Sequence, residues 1–387
     1  MVASAHARFA PPAAPAPMVH VVFDTRELYF LTQYLPVWRE LARRGVEASF
    51  VAYHNRPQAQ EAMRRAFEAA RLPVTWCATK EDGLAHYRHL APDWVVFGNG
   101  YAHTDQLLER TRTAMLYHGI GMKSDVYAPQ LVEHDVRFVE GPHYVRLLGE
   151  MYPRAALVAV GYAKTDPLFW PEERRPRFDL AAAGLDPARP TLLYAPTHSP
   201  SSFALMSEDF PAHFEGWNVL VKPHYLSWFS SSRRSHRRLM ELWSGAPNCH
   251  VAPLEQFDPV PFMAVADLLV SDASSVLFEF AATGKPVVWC DFLALPWYRR
   301  GLFGHRLRKR MDASIDAYRD VAAHAGRYAD LRATVADELA HPELHSAARR
   351  RATEQLIGPT DGRVSERIVD WLLAHVGTTT RQRTPSG

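Results

Sequence analysis

The sequence has few of the features that mark secreted, disulfide-stabilised or membrane-spanning proteins. It contains only three cysteines in 387 residues, Cys77, Cys249 and Cys290. An odd number of widely separated cysteines argues against a disulfide framework and favours a reducing compartment. No apolar run approaches the roughly 20 residues that a transmembrane helix needs, and the alanine- and proline-rich N-terminus lacks the charged start and apolar centre of a signal peptide. We therefore expect a cytoplasmic protein.

The net charge is also small, and common metal-binding motifs are missing. The formal net charge is only +2 at pH 7, which gives no general case for nucleic acid as a partner. The sequence contains no Asp-x-Asp pair and neither the His-Glu-x-x-His nor the Cys-x-x-Cys spacing, so we expect no tightly held metal ion and no cofactor. Its hydrophobic content of 47% is ordinary for a globular protein, and its length predicts two domains with a core each.

Strands and helices alternate through the first half of the chain. Short apolar runs predict the strands, and longer runs with helical periodicity predict the helices between them. Pro36 should kink the first helix and Gly45 should end it. This alternation predicts a parallel sheet with helices on both faces. The predicted strands span residues 19–23, 46–52, 94–97 and 113–117, and the predicted helices span residues 28–44 and 58–71.

A second series of strands follows the proline- and charge-rich residues 166–176, which we interpret as a linker. Each half therefore predicts an α/β domain of the nucleotide-binding type. The later strands are predicted at residues 191–195, 218–222, 268–270 and 286–290, and closing helices at residues 312–327, 328–340 and 364–376. The predicted boundaries are a disordered tail at 1–18, an N-terminal domain at 19–165, the linker, a C-terminal domain at 177–345, closing helices at 346–376 and a second tail at 377–387.

The central unit of the second half is a strand, a polar turn, a helix and a second strand within residues 265–291. Asp272, Ser274 and Ser275 offer side chains that can cap the helix, and Gly284 supplies its C-terminal stop. The turn lies at the carboxyl end of a parallel strand, where open α/β sheets bind ligands. Free N–H groups at the helix start, with two serine hydroxyls beside them, suit a phosphate, although a capped helix without a ligand fits these residues equally well.

Four motifs at predicted strand ends follow one another along the chain. They are Tyr-His-Gly-Ile-Gly-Met-Lys at residues 117–123, Tyr-Ala-Pro-Thr at 194–197, Lys-Pro-His at 222–224, and Ser-Asp-Ala-Ser-Ser at 271–275, which precedes Phe-Glu-Phe and Lys-Pro. An Asp-Gly-Arg-x-x-x-Arg pattern spans residues 361–367. In this order the motifs are similar to those of the CDP-glycerol glycerophosphotransferase family, which comprises teichoic-acid polymerases and primases and their relatives in capsule synthesis.

The resemblance covers about residues 118–367 and implies a GT-B fold, in which two Rossmann-like domains face a central cleft. The N-terminal domain would take the acceptor, and the C-terminal domain would take a nucleotide-activated donor. The implied reaction moves a polyol phosphate, with glycerol phosphate as the first expectation, from a CDP-activated donor to a hydroxyl of a cell-surface polymer or lipid-linked acceptor. CMP would be released.

The chain departs from the family pattern near the expected cleft. Ile120 and Gly121 stand where the family has Thr-Pro, and His198 stands where it often has arginine. Ala273 replaces an aromatic residue, and Glu279 replaces an aspartate. These changes leave the reaction class better defined than the identity of the transferred polyol or sugar.

The implied transfer requires that the acceptor alcohol lose a proton and that the charge of the leaving group be neutralised. Histidine suits the first task at neutral pH. His118, at a strand end before two glycines that allow close approach, is the candidate base, and the resemblance points to the same residue. His224 is expected across the cleft, where it would stabilise phosphate charge. These two histidines are the predicted catalytic residues.

Eight further residues are predicted to bind substrate. The lysines among them would neutralise phosphate charge, the serines would hold phosphates, the aspartate would shape the turn, and the glutamate would reach ribose hydroxyls. Simple solvent exposure is the alternative for the lysines and the glutamate. The eight are Gly119, Lys123, Thr197, Lys222, Asp272, Ser274, Ser275 and Glu279.

Residues 298–310 combine apolar side chains with six Arg or Lys. Such a stretch can contact an anionic membrane surface, which would place the protein on the inner face of the cell membrane, or it can be an ordinary solvated surface.

Two functions other than phosphate transfer also remain open. One is a GT-B glycosyltransferase that uses a nucleotide sugar, and the other is a non-catalytic nucleotide-binding assembly protein. The released nucleotide would separate the first of these from phosphate transfer.

Overall fold

The described part of the chain forms two parallel sheets, one in each half, with helices around them. The predicted N-terminal tail, the basic stretch 298–310 and all but the first residue of the predicted C-terminal tail lie outside the described residues. None of the described helices is long and apolar enough to cross a bilayer. The computed structural model describes residues 19–54, 57–101, 103–108, 110–120, 122–229, 234–294 and 312–377.

The first sheet has seven strands in the order β3-β2-β1-β4-β5-β6-β7, and all its neighbouring pairs are parallel. The strand order reverses between β1 and β4, so a crevice is expected outside the carboxyl ends of these two strands. The four strands predicted in this half are present, and three short ones were not predicted. The strands are β1 (His20–Thr25), β2 (Glu47–Tyr53), β3 (Val74–Cys77), β4 (Trp94–Phe97), β5 (Arg112–Leu116), β6 (Val136–Val139) and β7 (Leu157–Ala159).

Helices cover both faces of this sheet. A 3₁₀ turn at Leu28–Phe30 leads into the first helix, which contains Pro36. Gly45 follows the helix with a φ of +72°, in the left-handed region that glycine adopts without strain. The helices are α1 (Leu31–Arg43), α2 (Pro57–Ala69), α3 (Lys80–Leu90) and α4 (Pro142–Met151).

The second sheet has six parallel strands in the order β10-β9-β8-β11-β12-β13. Its order reverses between β8 and β11, which places a second ligand crevice at the turn after β11. The strands are β8 (Thr191–Tyr194), β9 (Asn218–Val221), β10 (Cys249–Val251), β11 (Leu268–Ser271), β12 (Val287–Cys290) and β13 (Ala323–Ala325). Its helices are α5 (Leu226–Phe229), α6 (Arg234–Ser244), α7 (Val260–Val265), α8 (Val276–Ala281), α9 (Leu331–Ala340) and α10 (Ser346–Ala352).

The predicted helix at residues 312–327 is wrong. The segment forms a 3₁₀ helix at Ala313–Val321 and then the edge strand β13, which pairs in parallel with β12. Its alanine-rich sequence favours a helix locally, but pairing with the open edge of β12 satisfies the backbone of residues 323–325. Tertiary context therefore overrides the local propensity.

The start of the predicted linker is buried between the domains. Residues Ala163–Leu168 form a 3₁₀ helix in which every residue is buried. The Asp166 carboxylate accepts hydrogen bonds from the backbone N–H groups of Val364 and Ser365, at 3.0 and 2.6 Å. It thereby caps the last helix, α11 (Val364–Ala374). That helix packs on the first domain, where Trp94 Nε1 donates to the Leu372 carbonyl at 3.1 Å, so the end of the chain braces the first domain.

Candidate active site

A cleft of about 500 Å³ lies between the carboxyl edges of the two sheets. This volume is within the usual range for a small-molecule site, roughly 300–1,000 Å³. The loops after β5, β8, β9 and β11 all reach it, as the four strand-end motifs predict. Eight of the ten predicted site residues line the cleft, namely His118, Gly119, Lys123, Thr197, Lys222, His224, Ser274 and Ser275.

His118 follows β5 and presents one basic nitrogen to the cleft. Its Nδ1 lies 2.7 Å from the Gly98 carbonyl oxygen, which can only accept, so Nδ1 carries the proton. Nε2 of the neutral ring is then the unprotonated nitrogen. The ring stacks on Phe30 with centroids 4.8 Å apart and planes 21° apart. Burial lowers the pKa of His118 to about 4, and the Gly98 hydrogen bond opposes this effect. The imidazole is therefore neutral at pH 7.

His224 follows β9 and has the opposite tautomer. The backbone N–H of Leu226 donates to His224 Nδ1 at 3.2 Å, so Nδ1 is an acceptor and the proton of the neutral ring lies on Nε2. Burial lowers the pKa of His224 well below its usual range, and the neighbouring His198 lowers it further. The rings of His198 and His224 have centroids 4.6 Å apart.

The two histidines flank one aromatic residue of the cleft. The Tyr29 ring centroid lies 4.8 Å from that of His118 and 6.4 Å from that of His224. One imidazole offers an acceptor nitrogen and the other offers an N–H donor. This complementary pair is what a proton transfer coupled to phosphate stabilisation requires.

Ser274 and Ser275 lie in the turn between β11 and α8 and are half-buried. Ser275 is the N-cap residue of α8 but its side chain makes no capping hydrogen bond. Among the described residues, neither hydroxyl bonds to another protein group, although both line the cleft. Both hydroxyls are therefore available to a ligand. The prediction that they cap the helix through their side chains is wrong.

Asp272 organises the loops below the cleft and does not line it. The carboxylate is fully buried and accepts hydrogen bonds from the backbone N–H groups of Thr197 and Ser202, at 2.7 and 2.8 Å. The hydroxyls of Ser201 and Ser202 also donate to it, at 3.2 and 2.9 Å. Burial raises the pKa of Asp272 to about 6, against these hydrogen bonds. Asp272 shapes the turn, as predicted, but it is neither a helix cap nor a wall of the cleft.

Lysines supply positive charge to the cleft. Burial lowers the pKa of Lys222 to about 8, and its Nζ donates to the Pro223 carbonyl at 3.3 Å. Lys123 lines the same space. Lys164, from the crossing between the domains, also lines it and was not predicted. No motif surrounds Lys164, so no signal in the sequence could have found it.

Glu279 lies behind the cleft, not in it. Its side chain on α8 is fully buried, and its Oε2 is 2.7 Å from Lys164 Nζ. Tyr162 Oη lies 3.4 Å from Glu279 Oε1 and 3.2 Å from the His118 carbonyl oxygen. The structure therefore does not bring Glu279 to a position where it reaches ribose hydroxyls, because the carboxylate is used to hold Lys164 at the cleft wall.

Comparison with known families shows to which family this chain belongs. Its sequence matches the family described as CDP-Glycerol:Poly(glycerophosphate) glycerophosphotransferase over residues 128–374. The chain belongs to this family. The resemblance inferred from the strand-end motifs is thus confirmed. The matched region contains His224, Ser274 and Ser275, and it begins after His118.

Solved structures share the architecture of this family member. A histidine-to-asparagine variant of the wall teichoic acid polymerase TagF, soaked with CDPG, has a TM-score of 0.65 at 12% identity, over 93% of this chain and 89% of that chain. A putative UDP-N-acetylglucosamine 2-epimerase from Listeria monocytogenes has a TM-score of 0.63 at 16% identity, over 95% and 98%. S. aureus MnaA, solved with UDP, has a TM-score of 0.60 at 10% identity, over 96% and 100%. No curated protein matches the sequence. The predicted GT-B-like fold is confirmed.

Proposed function

We propose that this glycerophosphotransferase family member moves glycerol phosphate from CDP-glycerol to a hydroxyl of a polymeric or lipid-linked acceptor and releases CMP. The observation that carries the proposal is the pair of opposite tautomers, since His118 offers an unprotonated Nε2 and His224 offers an Nε2–H within one cleft. Family membership supports the reaction class. The donor and the acceptor are our inference.

The proposed reaction is a displacement at phosphorus. The acceptor oxygen attacks the phosphorus that carries the glycerol group, and a new oxygen–phosphorus bond forms. The bond from this phosphorus to the bridging oxygen breaks, and CMP leaves with that oxygen. The acceptor proton passes to Nε2 of His118, which later releases it to solvent. Nε2–H of His224 donates to a non-bridging oxygen of the transferred phosphoryl group and stabilises its charge.

Groups of the second domain, together with Lys164 from the crossing between the domains, would hold the donor during this step. The hydroxyls of Ser274 and Ser275 would donate to the diphosphate, and Lys164 and Lys222 would neutralise the charge that builds up on the leaving CMP. Glu279 is then a positioning residue, because it fixes Lys164 through the ion pair of 2.7 Å.

A panel of possible donors tests this proposal directly. Purified protein is incubated with CDP-glycerol, other CDP-polyols and nucleotide sugars in the presence of acceptor, and the released nucleotide is identified by chromatography. We expect CMP from a CDP-polyol. Release of a nucleoside diphosphate from a nucleotide sugar would establish the glycosyltransferase alternative, and no turnover of any donor would establish the binding-protein alternative.

Removing both serine hydroxyls should weaken donor binding with little effect on stability. We expect Ser274→Ala combined with Ser275→Ala to raise the donor Kd at least tenfold, since hydrogen bonds to charged groups contribute about 1.5–3 kcal/mol each. Neither side chain caps α8, so the free energy of unfolding should fall by less than a lost cap costs, which is about 1 kcal/mol. The melting temperature should therefore change little. Calorimetric titration and thermal unfolding measure the two effects. Ser235→Ala, at an exposed position of α6, is the control, and unchanged donor affinity with a large loss of melting temperature would contradict the assignment.

The pH dependence of kcat/KM should report the pKa of His118 in the free enzyme, and that of kcat should report its pKa in the donor complex. His118 must be unprotonated to act, so the rate falls as the pH falls through its pKa, which burial lowers to about 4 in the empty cleft. The donor's negative phosphates favour the imidazolium form and raise this pKa in the complex. We therefore expect the acidic limb of kcat/KM well below pH 6.5 and the acidic limb of kcat at a higher pH than that of kcat/KM. Steady-state rates from pH 3.5 to 8 measure both, and limbs in the reverse order would contradict the account.

A further inference from the structure

A second cavity, of about 400 Å³, opens at the carboxyl edge of the first sheet. Its walls come from the ends of four adjacent strands. Arg26 and Glu27 follow β1, Tyr53 ends β2, residues 78–80 follow β3, and Asn99 follows β4. The strand order reverses between β1 and β4, so the cavity occupies the crevice where open α/β sheets bind ligands. The donor chemistry described above uses the corresponding crevice of the second sheet and leaves this one without a role.

This second cavity leads to the proposed base. It shares Tyr29 and Asn99 with the central cleft. Phe30 lines the cavity and stacks on the His118 ring, with centroids 4.8 Å apart. The Gly98 carbonyl, one residue before Asn99, accepts the hydrogen bond from His118 Nδ1. A ligand in the cavity therefore has a short route past Tyr29 and Asn99 to His118, from the first domain's side.

The lining of the cavity suits a polyol that carries a phosphate. Arg26 is held in place by Asp24, with 3.2 Å between Nε and Oδ1. Asp24 is fully buried, and the hydroxyls of Tyr53 and Tyr87 donate to its Oδ2 at 2.7 and 2.9 Å. This fixed network places a guanidinium at the wall, where it can bind an anion or donate to a hydroxyl.

Lys80 offers a cation at the rim of the cavity that can pair with an anionic group of a ligand. The charge of Arg26 is balanced by Asp24, and the carboxylate of Glu27, which also lines the cavity, accepts a hydrogen bond from the Tyr225 hydroxyl across the cleft. Lys80, the exposed first residue of α3, adds a further cation at the rim. Aromatic rings of Tyr29 and Phe30 provide flat apolar walls for the carbon chain of a polyol.

We propose that this cavity is the acceptor subsite and that it binds the phosphate-bearing polyol unit adjacent to the hydroxyl that His118 deprotonates. The phosphate lies against Lys80 and Arg26, and the polyol chain extends past Asn99 into the central cleft. The inference rests on the proposed function, because it assigns the acceptor of that reaction.

Direct binding of a small probe tests the subsite without any turnover. We expect the full-length protein to bind sn-glycerol 3-phosphate in a calorimetric or NMR titration, and Lys80→Glu to raise the Kd at least tenfold. An acidic residue in the first turn of a helix is compatible with the fold. Arg88→Glu makes the same charge change on the same helix, at an exposed position outside the cavity, and should leave the Kd within twofold. No binding by the wild type, or equal effects of the two substitutions, would overturn the subsite.

A kinetic experiment separates failure of the subsite from failure of the proposed function. Acceptor-dependent release of CMP from CDP-glycerol is measured for the wild type and both variants. Lys80→Glu should raise the acceptor KM at least tenfold with the donor KM unchanged, whereas Arg88→Glu should change neither. If the wild type releases CMP and the two variants share one acceptor KM, the subsite is wrong and the proposed function stands. If the wild type releases no CMP from any donor, the proposed function is wrong, and with it the role of the cavity as an acceptor subsite.

Discussion

Replacing His118 with alanine should lower kcat by roughly 10²–10⁴-fold, the usual contribution of a positioned general base. The donor Kd should stay nearly unchanged, because the serines and Lys222 that would hold the diphosphate belong to the second domain. Single-turnover rates and calorimetric donor titration measure the two quantities separately. A folded variant that binds donor and transfers at a near wild-type rate would remove His118 from the role of base.

Two further variants make the His118 result specific. His118→Gln keeps a side chain that can donate to the Gly98 carbonyl but cannot take a proton at neutral pH. Its rate should be as low as that of the alanine variant, which excludes loss of packing against Phe30 as the cause. His341→Ala removes an exposed histidine at the end of α9 and should leave the rate unchanged.

Replacing His224 with alanine should affect both donor binding and turnover. If Nε2–H donates to the phosphoryl oxygen, its loss should lower kcat by roughly 10²–10³-fold, as for one donor of an oxyanion-binding site. The donor Kd should rise as well, because the same oxygen carries charge before the reaction. His224→Gln retains an N–H donor and should recover part of the rate.

Comparing donor affinity and turnover between the His118→Ala and His224→Ala variants distinguishes the roles of the two histidines. A variant that has lost its fold loses donor binding and turnover at either position, so thermal unfolding of each variant is the necessary control. Equal donor affinity in His224→Ala and wild type would place His224 away from the phosphate. Loss of donor affinity in His118→Ala would place the base in contact with the donor.

The strand-end motifs made the cleft predictable because all strands of each sheet are parallel. The carboxyl ends of parallel strands meet at one edge, so the residues after β5, β8, β9 and β11 had to converge there. His118 and Ser274 therefore fall in the same cleft although 156 residues separate them. The short strands were harder to predict, because three or four residues such as Ala323–Ala325 carry too little periodicity.

The residues that were missed or misplaced depend on contacts with distant parts of the chain. Glu279 is spaced like a residue that could turn toward the ligand, but the crossing segment brings Lys164 against it and buries both. Asp272 resembles a helix cap, but Thr197 and Ser202 from the loop after β8 occupy its carboxylate. The spacing of residues along one helix or turn does not reveal these partners, because they come from other parts of the chain.

The most direct test of the central claim is to follow both phosphorus atoms of CDP-glycerol by ³¹P NMR during the reaction. Attack at the phosphorus that carries glycerol predicts that the diphosphate resonances disappear while one CMP phosphomonoester and one acceptor phosphodiester appear in equal amounts, and that His118→Ala slows both together. Formation of CDP together with glycerol joined to the acceptor by an ether bond, in place of CMP and the phosphodiester, would mean that a carbon–oxygen bond breaks. That result would contradict phosphate transfer through His118 and His224.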